Sequence, residues 1–296
     1  MNLEQSQLNC QIPCLELVAE GIAGVPPESL SRVLKLKVRR RLDSNRERKF
    51  KNYTNDFINK LCMLTGRDKK PVVLPSERSS ESLETGDWVR VRSLEEIKMT
   101  LNHWRQVKGC GFMPELAEFC GTTQRVLKSM KRFVDERDHR VKKSSGIILL
   151  DGVTCQGTAE FGECDRACLH FWRKEWLQKV DESSISPSDE RSMEEKRYER
   201  VRVRPLEEIE ATLDQSRQLK GCAFMPEMAE YCGTTQRVLK PVKRFVDERD
   251  FRVKRTSGLV LLDGIVCHGR SEFSSCDRTC SYMWREEWLE KVGEQA

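Results

Sequence analysis

The chain is expected to fold as α+β: two tandem small modules behind a helical N-terminal segment. Each module is read as a twisted antiparallel sheet with helices and a four-cysteine metal site. Three observations predict this. Val89–Val180 aligns with Val201–Val292 at a constant offset of 112, without a gap and with roughly two positions in three identical, which marks a tandem duplication. Within each copy, short alternating apolar runs end at Gly and Asp turns, as half-buried strands do. Finally, Cys120, Cys155, Cys164 and Cys168 recur as Cys232, Cys267, Cys276 and Cys280, with spacings of 35, 9 and 4 in both copies.

The organisation follows from composition. Residues 1–74 form a basic helical segment, with fourteen Lys/Arg against eight Asp/Glu although the whole chain carries only +5. Residues 75–87 and 181–199 are polar and Ser-rich, the composition of linkers. They bracket a first module at 88–180 and precede a second at 200–292. No apolar run approaches the roughly 18 residues of a membrane span, and residues 1–11 carry no basic start and apolar block of a secretion signal. A cytoplasmic protein without a membrane partner is therefore expected. Its 13 cysteines then read as ligands or reactive thiols before disulfides.

In chain order, Cys10 and Cys14 precede a short helix around Leu15–Val18. Pro26-Pro27-Glu28-Ser29 starts a helix over 30–42, and its basic residues continue to Lys51. Arg32, Lys35, Arg39, Arg40, Arg46 and Lys49, interleaved with Phe50, Tyr53 and Phe57, could grip nucleic-acid phosphates; a solvated helical hairpin is the alternative. Cys10, Cys14 and Cys62 could form a separate site, though three cysteines without a histidine argue weakly for one. In the first module, Val89-Arg90-Val91-Arg92 alternates as a strand, and Ser93 with Glu96 forms a capping box for a helix through Leu101. Pro114 opens a second short helix that ends at Cys120-Gly121. Strands over 125–134 and 140–150 flank the turn Asp135-Glu136-Arg137-Asp138. A closing helix from Cys164 is expected to bury Trp172 and Trp176.

Two thiols four apart on a helix share a face, and adjacent thiolates repel unless a cation neutralises them. Zinc, one per module and two per chain, is the expected cofactor. Iron–sulfur ligation and packing as small hydrophobes are the alternatives. Cys110 and Cys222 form a fifth pair in register, read as reactive thiols ahead of a helix start, as ligands, or as packed thiols. His103, His139 and His170 face Gln215, Phe251 and Tyr282 in the other copy, and His268 faces Gln156, so no Cys–His or Ser–His mechanism is common to both copies. Acid–base work would fall to paired carboxylates such as Glu175/Glu287. Asp165/Asp277 read as first-turn acids or as supports for the ligands. Arg125/Arg237, Lys128/Lys240 and Lys131-Arg132/Lys243-Arg244 could face an anionic ligand or pair with neighbouring acids.

The order Gly-Asp-Trp-Val-Arg-Val-Arg, Phe-Met-Pro-Glu-x-Ala-Glu-x-Cys-Gly, Cys-Asp-Arg-x-Cys and Trp-Arg-x-Glu-Trp-Leu resembles a family of small, uncharacterised bacterial proteins. Their genes often lie near those for polysaccharide or specialised-metabolite biosynthesis. The resemblance covers 86–180 and 200–292. It departs at Phe133-Val134-Asp135 and Phe245-Val246-Asp247, where the relatives carry a further cysteine. The Gly-Asp-x-Val-Arg-Val-Arg opening is also similar to that of SH3-like barrels. Together these readings imply a zinc-binding accessory protein in a biosynthetic pathway, with a protein partner or a pathway enzyme. A metal- or thiol-dependent biosynthetic enzyme and a nucleic-acid binder are the other two function classes.

Overall fold

In the computed structural model the described residues are 10–23, 34, 37–39, 41–65, 82–157, 164–181, 199–269 and 276–292. Most of both linkers lies outside them. So does most of the helix expected over 30–42, with Arg32, Lys35 and Arg40. The fold is α+β and dominated by antiparallel sheet.

The N-terminal segment contributes a 3-10 turn (Pro13–Glu16), strand β1 (Gly21–Ile22) and helix α1 (Ser44–Leu64). Asp43 caps α1, its side chain accepting from the Arg46 amide, so a new helix starts where a continuation of the preceding basic helix was expected. In the first copy the elements are β2 (Trp88–Val91), α2 (Leu94–Thr100), β3 (Gln106–Val107), β4 (Cys110–Gly111), a 3-10 helix (Pro114–Phe119), β5 (Thr123–Val134), β6 (Val141–Leu150), β7 (Trp172–Arg173) and β8 (Leu177–Lys179). Both halves of the Ser93/Glu96 capping box form. The second copy repeats the order with β9 (Arg200–Val203), α3 (Leu206–Glu210), β10 (Gln218–Leu219), β11 (Cys222–Ala223), a 3-10 helix (Pro226–Tyr231), β12 (Thr235–Asp247), β13 (Arg252–Val266), β14 (Ser281–Arg285) and β15 (Leu289–Lys291).

The first sheet runs β7-β6-β5-β2-β8; the second runs β1-β13-β12-β9-β15, with β14 also on β13. Apolar faces close over Trp172 and Trp176 in the first copy and over Trp284 and Trp288 in the second, all fully buried. The Trp176 indole donates to Thr100 Oγ1 at 3.1 Å and Trp288 to Thr212 Oγ1 at 3.0 Å, so each carries its polar atom into the core with a partner. The N-terminal segment is divided between the copies. Ile12, Cys14, Leu15 and Val18 join the second core, and β1 pairs with β13. Helix α1 instead meets the first copy, where Thr54 Oγ1 accepts from the Trp104 indole at 3.0 Å and Glu47 pairs with Arg137 at 2.7 Å.

One expected element is absent. Cys164–Phe171 is not helical, and Trp172 and Trp176 reach the core from β7 and a following 3-10 turn. Ala167 and its counterpart Thr279 take left-handed φ values of 48° and 53°, which no α-helix admits. The backbone of this segment bonds elsewhere: Cys155 N–H donates to Cys168 O at 2.8 Å, and Cys267 N–H to Cys280 O at 2.7 Å.

Candidate thiol centre between the two copies

The β5–β6 and β12–β13 ladders are interrupted between Met130/Arg132 and Val242/Arg244, where Lys131 faces three residues of β6 (144–146) and Lys243 three of β13 (256–258). Such a bulge turns amides out of the ladder. The Cys-Asp-Arg-x-Cys loop of the opposite copy fills the gap. Asp277 Oδ2 accepts from the amides of Lys131 (2.9 Å) and Arg132 (3.0 Å), and its own amide returns a bond to Arg132 O at 2.8 Å. Asp165 does the same to Lys243 and Arg244, at 3.0 Å each, with its amide on Arg244 O at 2.9 Å. Lys128 and Lys240 add ion pairs to Asp277 and Asp165 at 2.8 and 3.6 Å. The two copies thus clasp each other reciprocally, as subunits do across a two-fold interface. Asp165 and Asp277 are docking residues rather than first-turn acids, and Lys128 and Lys240 serve the same contact.

The arginines of these loops meet at the centre. Arg166 grips Glu136 through both nitrogens at 2.8 and 2.6 Å, and Arg278 reaches the same carboxylate at 2.6 Å. Burial works against the Glu136 charge, but the two guanidiniums hold its carboxyl below the usual range. Arg278 also donates to Val134 O at 3.2 Å.

The sulfurs sit around this centre. Gly157 N–H points at Cys155 Sγ and Gly269 N–H at Cys267 Sγ, both at 3.4 Å. Val246 N–H points at Cys164 Sγ (3.5 Å) and Val134 N–H at Cys276 Sγ (3.4 Å), each from the opposite copy. Amides aimed at sulfur favour the thiolate. Burial pushes the thiols of Cys164, Cys168 and Cys280 up; the nearby arginines oppose it. The charge of Cys155 acts on Cys164, and that of Cys168 acts on Cys280 across the copies.

Cys120 and Cys232, the fourth members expected from the spacing, close the 3-10 helices. Their thiols face Leu116 O at 3.7 Å and Met228 O at 4.0 Å. Burial raises both; the charges beside them are Glu95 and Lys98 for Cys120, and Glu207 and Glu210 for Cys232. Among the described residues, no group of three or more Cys, His, Asp or Glu side chains is gathered closely enough to hold a metal ion. The donor chemistry suits a soft cation, while the sulfurs surround the centre without converging on a point.

The other candidates are placed in cores and ion pairs. Cys110 donates to Phe171 O at 3.5 Å, and burial pushes its thiol up to about 12. Cys222 is fully buried on Met283 O at 3.4 Å, with its thiol raised further. Neither has the low pKa of an attacking thiol. Glu175 is clamped by Arg173 at 2.8 Å and Lys108 at 2.7 Å. Although burial alone would raise it, those bonds hold it near about 2, and Glu287 likewise. A carboxyl so low is a poor acid or base at neutral pH. In the basic segment, Arg39 lies over the Phe251 ring at 4.0 Å and pairs with Glu47 at 3.1 Å. Arg46 pairs with Asp43 at 3.3 Å, and Lys49 is exposed.

Sequence reasoning missed the clasp and the Arg166–Glu136–Arg278 centre. The signal available was the identity of Asp-Arg within both Cys-Asp-Arg-x-Cys loops and of Asp-Glu-Arg-Asp in both hairpin turns. No helix among the described residues is long and apolar enough to cross a membrane. No protein-family model matches the chain, and no curated protein matches it.

Proposed function

We propose that the chain is a tandem zinc–thiolate protein, built of two small modules each with an SH3-like sheet, and that it works as a binding or accessory protein. The observation that carries this reading is the clasp, which brings Cys155, Cys164 and Cys168, and Cys267, Cys276 and Cys280, to one interface with backbone amides aimed at four of the sulfurs. Cys120 and Cys232 are the fourth donors expected from the spacing. Bound zinc would supply charge compensation for the thiolates and cross-linking of loops that have little regular structure. A closed tetrahedral site has no open position for substrate, and the raised thiols of Cys110 and Cys222 support binding over catalysis. A bacterial biosynthetic pathway, with a protein or enzyme of that pathway as partner, is the setting that the motif resemblance suggests.

Elemental analysis tests the reading. The purified chain should hold two zinc ions, and Cys276→Ser with Cys280→Ser should leave one. A folded wild-type chain free of metal would overturn it.

A further inference from the structure

The second copy contains a fourth sulfur that its own repeat does not supply. Cys10 lines a cavity of ≈ 60 Å³ together with Cys267, Cys276 and Cys280, and with Cys168 of the first copy. Its Sγ accepts from the Ile12 amide at 3.5 Å, as Cys267 accepts from Gly269 and Cys276 from Val134. Three of the five cysteines around this cavity, Cys10, Cys267 and Cys276, therefore face backbone donors.

Cys10 is held there by a built anchor. The neighbouring Gln11 side chain donates to Ala223 O at 2.8 Å and Met283 O at 2.9 Å, and accepts from the Met283 amide at 2.7 Å. Ile12, Cys14 and Leu15 are buried in the same core. The electrostatics fit as well. Four thiolates around one divalent cation leave a net negative charge, and the buried guanidiniums of Arg166 and Arg278 line the same cavity. Charge left over in a low-dielectric centre needs such partners.

We propose that Cys10 completes a four-thiolate zinc site with Cys267, Cys276 and Cys280, in place of Cys232. The inference rests on the zinc reading above and specifies its second site. The ion draws the four sulfurs together across the cavity and ties the N-terminal segment to the second copy and, through Cys276 and Val134, to the first. The two copies then differ: residues ahead of the repeats complete one site and have no repeat-encoded equivalent in the other.

The test uses the full chain loaded with zinc, and with cobalt(II) for its sulfur charge-transfer absorption. Wild type should bind two ions. Cys10→Ser should lose one, or weaken it at least about tenfold, whereas Cys232→Ser and the neighbouring Cys14→Ser should keep both. Cys10→His, which restores a donor, should recover the second ion and separates lost ligation from lost folding. Two ions retained in Cys10→Ser, or one lost in Cys232→Ser, would overturn the role of Cys10 and leave the zinc reading intact. A wild-type chain that binds neither metal would remove both.

Discussion

Asp277 shows how one side chain can hold two halves of a chain together. It is nearly buried, accepts two backbone amides and faces Lys128, all charge-assisted bonds of the stronger kind. Removing the carboxylate leaves the bulge amides of β5 unpaired. Asp277→Ala should therefore destabilise the protein by at least about 2 kcal/mol in urea unfolding. Asp165 makes the same two amide bonds, but its lysine stands further away, at 3.6 Å, and its surroundings are more open. Asp165→Ala should cost less. Equal costs would show that burial and Lys128 add nothing to the amide bonds.

Among the elements, the Cys-x-Gly turns that present Cys155 and Cys267 matter most to the thiol centre. Gly269 takes φ +79°, and a Cβ there would lie 2.1 Å from Cys276 O. Gly264 has a similar φ of +71° but open space around it. Left-handed strain alone costs about 1–3 kcal/mol for a residue with a side chain, and both positions bear that cost. Only Gly269→Ala also pushes the Cys276 loop away from Cys267. Gly269→Ala should thus lower both thermal stability and zinc content, while Gly264→Ala lowers stability alone. Parallel melting curves and metal analysis of the two variants would check this. Zinc content unchanged in Gly269→Ala would separate the turn from metal binding.

Over the whole molecule, the two copies form a single clasped unit, and ion pairs under partial burial run through it. Glu175 and Glu287, held near about 2, and Glu136, held low by two guanidiniums, all have folded pKa values below those of the unfolded chain. Their contribution is complete above the unfolded value of about 4.3 and is lost as pH falls through the folded values. The urea midpoint should begin to fall as pH drops through about 6.5, where burial holds His170 down at about 4 in the fold while the unfolded chain takes up the proton. It should fall further from about 5 toward pH 2 as these carboxylates protonate. A midpoint flat across that acid range would mean that these pairs do not stabilise the fold.

The sequence by itself determined the duplication, the order of the short elements and the regular cysteine spacing. Period-two patterns produced β2, β5 and β6, the Ser93–Glu96 pair capped α2, and Pro114 opened its 3-10 helix, because these depend on local stereochemistry and on which face is apolar. It failed at the Cys-Asp-Arg-x-Cys loops. Their spacing of four imitates a helix turn, whereas the positive φ of Ala167 and Thr279 and the bonds of Asp165 and Asp277 to the opposite copy come from contacts more than 70 residues away in the chain. Only the tertiary structure decided that the copies exchange these loops, that Arg166 and Arg278 share Glu136, and that Cys10 and Cys267 line one cavity. Long-range pairing leaves no period in the sequence, since the residues that complete such contacts are spaced by the fold and not by the turn of a helix or the pleat of a strand.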